Sequence, residues 1–119
     1  MATIIVLDDV ADAAIMIKRM LSRQGHVVEA FTEEEQALDF VRENTVDLAI
    51  LDMKLLKMTG VEVLEEIRKI SPGTRAIMLT GYPTLETARQ ALALGAKEYC
   101  IKPIDRDELE AKVAKVLSE

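Results

Sequence analysis

LAILD, residues 48–52, is an apolar run that ends in an aspartate, and TIIVLDD at residues 3–9 repeats this arrangement. Short runs of Ile, Val, Leu and Ala that are apolar at every position are typical of strands buried on both faces of a parallel sheet. Between the two runs, apolar residues recur at the spacing of helices that bury one face. This alternation favours an α/β domain with helices on both sides of a parallel sheet.

The rest of the sequence continues the alternation to its end. Thr32 with Glu35 matches a capping box at a helix start, and Gly25 and Pro72 stand where the first and third helices are expected to end. Five strand–helix units predict one domain over residues 1–119. The predicted strands span residues 3–7, 27–31, 48–51, 76–79 and 98–101. Two predicted helices span residues 12–24 and 84–94. The other three predicted helices begin near residues 32, 60 and 105.

Composition narrows the classes of protein that fit this chain. Half of the 119 residues are hydrophobic, yet no apolar run approaches the roughly 18 residues of a membrane span. Cys100 is the single cysteine, so no disulfide can form within the chain. The net charge of −6 argues against nucleic acid as a direct partner. Since the N-terminus has no basic stretch ahead of an apolar one, we expect a cytoplasmic protein without membrane contact.

Polar residues follow the apolar runs at the points where the predicted strands end. Asp8 and Asp9 close the first run, and Asp52 closes the third. Thr80 and Lys102 follow the fourth and fifth runs. Ligands of open parallel sheets bind beyond the carboxyl ends of the strands, so we expect these side chains to meet at one edge of the sheet.

The expected cluster would hold three negative charges, and their number suggests what it binds. Three neighbouring carboxylates repel one another, and one divalent cation together with one ammonium would offset their charge. A pocket of oxygen ligands suits Mg²⁺, which retains several water molecules. Beside Mg²⁺ and Lys102, Asp52 is a suitable nucleophile for a phosphoryl group, and Thr80 is placed to donate a hydrogen bond to the transferred oxygens.

Together these motifs resemble the response-regulator receiver family, over essentially the whole chain. The resemblance implies a single flavodoxin-like (βα)5 domain with a doubly wound parallel five-stranded sheet in the order 2-1-3-4-5. It also implies a phosphoacceptor switch of two-component signal transduction, which is not an enzyme but supports its own phosphorylation and autodephosphorylation. The motifs that carry the resemblance are Asp8-Asp9, Asp52, Thr80-Gly81 and Lys102-Pro103.

The resemblance assigns roles to the acidic residues. Asp52 is implied as the acceptor of a phosphoryl group from the phosphohistidine of a sensor histidine kinase, from a phosphotransfer protein or from a small acyl phosphate. Asp9 and Asp52 are implied as Mg²⁺ ligands. Asp8 would act mainly through water, and the backbone carbonyl of Lys54 would complete the protein ligands.

The remaining site residues are implied to respond to the phosphoryl group. Lys102 would hold it, Thr80 would follow it, and Tyr99 would turn inward on activation. The Lys102–Pro103 peptide bond is expected to be cis. The surface of the fourth helix, fifth strand and fifth helix is expected to signal to a downstream protein or output domain, and a phosphorylation-dependent homodimer is left open.

The segment DMKLLKMTG, residues 52–60, departs from the family pattern. Leu56 stands where the family usually has proline, so the geometry of this loop is left open. Lys54 and Tyr82 occupy the two positions that tune the lifetime of the phosphoryl group in the family. We expect a long cation and a bulky ring there to shield the acyl phosphate from water.

Two other functions use parts of the same pattern. A phosphohydrolase with an aspartyl-phosphate intermediate generally carries a second aspartate two residues after the nucleophile, where this chain has Lys54. A flavodoxin-like cofactor carrier needs a Ser-, Thr- or Gly-rich phosphate loop after the first strand, where this chain has Asp8, Asp9 and Asp12. The receiver interpretation accounts for more of the motifs than either alternative.

Overall fold

The structure, a computed structural model, describes residues 1–55 and 57–119, and Leu56 lies outside the described residues. Strands and helices alternate along this part of the chain. None of its helices is long and apolar enough to cross a lipid bilayer. The strands are β1 (Thr3–Leu7), β2 (Val27–Phe31), β3 (Leu48–Asp52), β4 (Arg75–Thr80) and β5 (Glu98–Ile101), and the helices are α1 (Ala11–Ser22), α2 (Glu34–Glu43), α3 (Gly60–Ile70), α4 (Leu85–Ala93) and α5 (Arg106–Leu117).

The described strands form one parallel sheet in the order β2-β1-β3-β4-β5, which confirms the predicted fold class and strand order. Ile4 of β1 lies opposite Val28 of β2 on one side and Leu48 of β3 on the other. β1, β3 and β4 have neighbours on both sides and are almost fully buried. That burial explains why their sequences are apolar at nearly every position.

Alternate residues of the central strands supply two hydrophobic clusters among the described residues. Ile5 and Leu51 pack on one face of the sheet with side chains of α2, α3 and α4. Ile4 and Ile50 pack on the other face with side chains of α1 and α5. Burying each Leu or Ile stabilises the fold by about 1.5–3 kcal/mol relative to exposure. Because helices cover both faces of the sheet, polar side chains at the carboxyl-terminal ends of the strands can reach solvent at that edge.

The start of α2 differs from the prediction. Glu33 is the N-cap and makes no side-chain cap hydrogen bond to a described residue, so the capping box predicted for Thr32 and Glu35 is wrong. A capping box lies at α3 instead. There Thr59 Oγ1 accepts from the backbone N–H of Glu62, whose carboxylate accepts from the N–H of Thr59. This reciprocal pair fixes the start of α3 after the loop that follows β3.

The end of α1 comes two residues before the predicted end. Helix α1 finishes at Ser22, and the N–H of Gly25 donates to the carbonyl of Ser22 at 3.0 Å. Gly25 has φ +91°, a backbone conformation that side chains with a Cβ disfavour. The turn leads the chain directly into β2.

Candidate functional site

The carboxyl-terminal edge of the sheet gathers the polar residues that the sequence places at strand ends. Asp52 and Thr80 are the last residues of β3 and β4, and Lys102 directly follows β5. Asp8 and Asp9 directly follow β1, which lies beside β3. An open depression of about 430 Å³ at this edge is lined by Asp9, Asp52 and Lys102 among others. The structure thus brings together the predicted site residues of four strands.

The three carboxylates are close enough to share one cation. Asp8, Asp9 and Asp52 each offer a carboxylate oxygen, and these atoms all lie within 4.8 Å of one another. Asp8 and Asp52 are buried, and Asp9 is half-buried. Oxygen-only ligands at this spacing fit a hard divalent cation such as Mg²⁺, which keeps part of its water shell.

Lys102 is the cation that the described residues place in this cluster. Its Nζ donates to Asp8 Oδ2 at 2.7 Å and to Asp52 Oδ2 at 3.3 Å. Burial by itself would lower the pKa of Lys102, but the hydrogen bond to Asp8 and the charges of Asp52 and Asp8 outweigh it and raise that pKa. The ammonium therefore stays charged and offsets part of the carboxylate charge.

The pKa of Asp52 is raised, so its ionised form is disfavoured at this site. Its Oδ1 accepts from the backbone N–H of Lys54 at 3.2 Å. Burial raises the pKa of Asp52, and the negative charge of Asp8 adds to that rise. The Lys54 N–H and the Lys102 ammonium act in the opposite direction without cancelling it. A further positive charge at this edge would stabilise the ionised carboxylate.

Thr80 is tied to its surroundings through both its backbone and its side chain. The residue is fully buried, and its Oγ1 accepts from the backbone N–H of Tyr82 at 3.0 Å. Its carbonyl accepts from the N–H of Lys102 at 2.7 Å. The peptide bond between Lys102 and Pro103 is cis. In the register of β3 and β4, Asp52 lies opposite Leu79, so Thr80 lies one residue beyond Asp52.

Comparison with known proteins agrees with this geometry. A family model described as the response regulator receiver domain matches residues 4–114 of the chain. The chain belongs to the response-regulator receiver family. Response regulators work with histidine kinases and output domains, and the receiver is their phosphoacceptor part.

Curated relatives include both long and short proteins. This receiver is 36% identical over 115 residues to the transcriptional regulatory protein ZraR of Escherichia coli K12, covering 97% of this chain but 26% of ZraR. It is also 32% identical to sporulation initiation phosphotransferase F of Bacillus subtilis, covering 96% of this chain and 92% of that protein. The chain therefore spans about a quarter of the length of ZraR and nearly all of the shorter relative.

Solved structures show the same arrangement of strands and helices. A CheY-like receiver domain protein from Methanospirillum hungatei superimposes with a TM-score of 0.96 at 32% identity, covering 99% of this chain and 94% of that one. A receiver domain from Clostridium thermocellum gives a TM-score of 0.92 at 33% identity, covering 99% and 95% of the two chains.

Lys54 and Tyr82 meet at the rim of the receiver's acidic site. Lys54 Nζ lies 4.4 Å from the centre of the Tyr82 ring, within cation–π distance. Both residues line the same depression as Asp52, although Tyr82 is 70% exposed. The cation and the ring are therefore placed beside the Asp52 carboxylate without enclosing it.

Tyr99 lies on β5, one strand away from Thr80. Its side chain is half-buried against the cluster beneath α4, and its hydroxyl shares a hydrogen bond of 2.8 Å with Thr87 Oγ1 of α4. Thr87 also bonds to Thr84, the N-cap of α4. The predicted switch residue is thus linked directly to the first turn of the neighbouring helix.

The structure gives two residues near Asp52 a role that was not predicted from the sequence. Gly60 opens α3 so close to β3 that a Cβ there would lie 2.4 Å from the carbonyl oxygen of Asp52. Glu34 is buried and reaches the loop after β3. The Thr59–Glu62 pattern signals the helix start beside Gly60, but nothing in the sequence distinguishes Glu34 from the glutamates on either side of it. Leu56, where the family usually has proline, lies outside the described residues.

Proposed function

We propose that this receiver, over residues 1–119, is a phosphoacceptor switch in which Asp52 takes the phosphoryl group. A carboxylate oxygen of Asp52 attacks the phosphorus of a phosphohistidine on a sensor histidine kinase or phosphotransfer protein. The new P–O bond forms an acyl phosphate while the P–N bond breaks and its electron pair remains on the imidazole. The observation that carries the proposal is Asp52 itself, buried beside Asp8 and contacted by the Lys102 ammonium.

The acidic cluster is the proposed Mg²⁺ site. Asp9 and Asp52 would hold the ion with their carboxylates, Asp8 mainly through water and Lys54 through its backbone carbonyl. The mutual distances of the three carboxylates, all within 4.8 Å, support this assignment. When bound, Mg²⁺ supplies positive charge that neutralises the carboxylates and the transferred oxygens.

Lys102 and Thr80 are the proposed ligands of the phosphoryl group. The ammonium of Lys102 already contacts Asp52 Oδ2, so a phosphoryl oxygen attached to that carboxylate would lie near the same donor. Thr80 Oγ1 accepts from Tyr82, which leaves the hydroxyl proton available to a phosphoryl oxygen. Both contacts form only after transfer, so they favour the phosphorylated state.

The proposed output surface consists of α4, β5 and α5. Movement of Thr80 toward the phosphoryl group would reach this surface through Tyr99, whose hydroxyl contacts α4. The surface exposes the apolar side chains of Leu85, Leu92 and Ile101, which suit a downstream protein, an output domain or a second copy of the chain. The phosphoryl group must favour the active form by a few kcal/mol, roughly 5 for a nearly complete shift.

Lys54 and Tyr82 are the proposed lifetime residues. Their cation–π contact at the rim of the site supports a partial shield that slows attack of water on the acyl phosphate. Receivers that hold the phosphoryl group longer signal longer, so this pair would set the duration of the signal through the rate of autodephosphorylation.

The two alternative functions lack a supporting observation. Lys54, a cation, stands where a phosphohydrolase would carry its general acid. The carboxylates of Asp8 and Asp9 line the site and would repel the phosphate of a bound cofactor. We therefore retain the switch as the proposed function.

The test of the proposal is phosphorylation by acetyl phosphate and Mg²⁺, followed by intact mass. We expect one added phosphoryl group, lost in Asp52→Ala and in the presence of EDTA. A matched control is Asp12→Ala, an exposed aspartate of α1, which should be phosphorylated like the wild type. An adduct that survives in Asp52→Ala would show that another residue is the acceptor.

The lifetime proposal is tested by the decay of the phosphorylated protein after removal of acetyl phosphate. Lys54→Ala and Tyr82→Ala are each expected to shorten the half-life, because either change removes one partner of the contact. Half-lives equal to that of the wild type would refute shielding by this pair while leaving the assignment of Asp52 intact.

A further inference from the structure

Glu34 behaves differently from its neighbours in a run of three glutamates. Glu33 and Glu35 are exposed, whereas Glu34, the first residue of α2, is 4% exposed. Its Oε2 accepts from the backbone N–H groups of Lys57 and Met58, both at 2.9 Å. One buried carboxylate oxygen thus holds two consecutive amides of the loop between β3 and α3.

That loop is the one that follows the acceptor. It starts immediately after Asp52, and its base is closed by a bridge between Lys54 and Thr59. The N–H of Gly60 also donates to the carbonyl of Met53 at 2.9 Å. The base of the loop is therefore held by its own backbone, while residues 57 and 58 are held by Glu34 from α2.

The same loop determines the environment of the Asp52 carboxylate. The backbone N–H of Lys54 donates to Asp52 Oδ1, and Lys54 pairs with Thr59 next to the segment that Glu34 binds. A shift of residues 57 and 58 would move Thr59 and, through the bridge, Lys54. The chain of contacts from Glu34 to Asp52 is thus short: loop amides donate to the Glu34 carboxylate, Thr59 pairs with Lys54, and the Lys54 amide donates to the Asp52 carboxylate.

Hydrogen bonds hold the Glu34 carboxylate at the start of α2. Among the described residues, the ion pairs of the chain do not include Glu34. The amides of Lys57 and Met58 are its hydrogen-bond donors, and both reach the same carboxylate oxygen. Its hydrogen bonds to a distant loop distinguish this carboxylate from an ordinary exposed glutamate at a helix start.

We infer that Glu34 is a positioning residue for the acceptor site, because it fixes the loop that places the backbone of Lys54 against Asp52. It touches neither the phosphoryl group nor the metal and acts through residues 57–59. The functional consequence rests on the proposed role of Asp52 and Lys54, although the placement of the loop does not. Position 56 is leucine, so no proline restricts the backbone of the loop there. The hydrogen bonds from Lys57 and Met58 to Glu34 restrict it instead.

The test compares Glu34→Ala with Glu34→Gln, and Glu35→Ala is the matched control in the same helix turn. Both loop amides bind a single oxygen, so the glutamine carbonyl can replace it, whereas alanine removes the acceptor. Hydrogen exchange at the amides of Lys54, Lys57 and Met58 reports on the loop. Titration with Mg²⁺, followed by amide chemical shifts, reports on the site.

We expect Glu34→Ala to speed exchange at all three amides and to weaken Mg²⁺ binding about tenfold, as is typical when residues that orient metal ligands are removed. Glu34→Gln and Glu35→Ala should stay within about twofold of the wild type, a difference below 0.5 kcal/mol. The rate of phosphorylation by acetyl phosphate should follow the order of Mg²⁺ affinities.

The outcomes separate this inference from the proposed function. If wild-type protein is not phosphorylated on Asp52, the proposed function fails, and the exchange and Mg²⁺ measurements still decide the role of Glu34. If Glu34→Ala only lowers the melting temperature, with exchange at Lys54 and Mg²⁺ affinity unchanged, Glu34 is merely a stabilising residue and the inference is overturned. Loss of Mg²⁺ affinity in Glu34→Gln equal to that in Glu34→Ala would also overturn it.

Discussion

The two edges of the sheet treat polar groups in opposite ways. At the amino-terminal edge, Asp47 Oδ2 accepts from the N–H of Thr3 at 2.8 Å, and Thr74 Oγ1 donates to the carbonyl of Val46 at 2.7 Å. Each polar group there meets a partner of the opposite kind. At the carboxyl-terminal edge, three carboxylates lie within 4.8 Å of one another, and the Lys102 ammonium contacts two of them, Asp8 and Asp52. The polar groups of the first edge therefore stabilise the fold, whereas the second edge retains unbalanced negative charge.

The negative charge at the carboxyl-terminal edge lowers the stability of the free protein. Burial raises the pKa of Asp52, which means that its ionised form is less stable in the folded protein than in the unfolded chain. At the opposite edge, burial lowers the pKa of Arg68, but three carbonyl oxygens accept hydrogen bonds from its guanidinium. Substitutions at the two edges should therefore change stability in opposite directions.

The largest effect is expected at the amino-terminal edge, from Arg68→Met. The Arg68 guanidinium donates to the carbonyls of Leu94, Pro72 and Thr74 at 3.0, 2.9 and 2.6 Å. Methionine keeps much of the aliphatic volume but leaves those carbonyls without the donor. We expect the free energy of unfolding in urea to fall by about 2–3 kcal/mol.

Lys69→Met is the matched control for Arg68→Met. Lys69 is exposed and pairs with Glu66 at 3.2 Å, an interaction worth about 0.5 kcal/mol or less. Both variants should bind Mg²⁺ like the wild type, because neither lies near the acidic cluster. Weaker Mg²⁺ binding by Arg68→Met, without a lower free energy of unfolding, would contradict the assignment of stability to the amino-terminal edge.

A smaller effect of opposite sign is expected at the carboxyl-terminal edge, from Asp52→Asn. Two unit charges about 5 Å apart repel by roughly 3 kcal/mol at an effective dielectric constant of 20, and Lys102 offsets most of this. We therefore expect the free energy of unfolding to rise by about 1 kcal/mol at neutral pH in the absence of Mg²⁺. Urea unfolding without Mg²⁺ measures the gain in Asp52→Asn. The same measurement with Mg²⁺ should show a smaller gain, because the ion is expected to stabilise the wild type.

The pH dependence of this gain follows from the raised pKa of Asp52. The penalty in the wild type is fully present above the folded-state pKa and disappears as the pH falls toward the ordinary value of 3.8. The advantage of Asp52→Asn should therefore shrink in acid. An advantage that grew on acidification would contradict the sign of the shift.

The smallest effect is expected at Glu98, which begins β5 at the amino-terminal edge. Its carboxylate accepts from Lys112 at 2.9 Å and from Lys115 at 3.3 Å, and the hydrogen bond from Lys112 is the main cause of its lowered pKa. We expect the free energy of unfolding to fall by about 0.5 kcal/mol in Glu98→Gln at neutral pH, since ion pairs near the surface contribute little.

The sign of the pH effect at Glu98 is opposite to that at Asp52. A lowered folded-state pKa gives stability that is present above the ordinary value of 4.5 and is lost as the pH falls through the folded-state pKa. The difference between the wild type and Glu98→Gln should therefore vanish in acid and in high salt. Urea unfolding at several pH values would measure it, and a difference that persisted in acid would point to packing instead of charge.

The sequence predicted most of the fold because local and long-range signals agree. Apolar runs mark the buried strands, and strands at residues 27–31 and 98–101 have the predicted bounds. The strand order came from the resemblance to a family, because nothing in the apolar pattern states which strands are neighbours. Helix starts were less certain: Thr32-Glu35 and Thr59-Glu62 carry the same pattern, and only the second forms the box.

The site was predictable where a residue's position along a strand decides its place. Asp52 and Thr80 end their strands, so the topology alone brings them together. Glu34 could not be found in this way, because its partners are backbone amides, which leave no mark in the sequence. The bond between Tyr99 and Thr87 was missed for a related reason, since it depends on how α4 is rotated against β5.

The placement of the receiver's two tyrosines gives it natural optical probes. The chain contains no tryptophan and only Tyr82 and Tyr99 as tyrosines. Tyr82 contacts the Lys54 ammonium beside the acidic site, and Tyr99 contacts α4 through its hydroxyl. The near-ultraviolet absorption and emission of the unlabelled protein therefore come chiefly from one ring at the acidic site and one ring on the proposed output surface. Replacing either tyrosine with phenylalanine would separate the spectral change at the site from the change at α4.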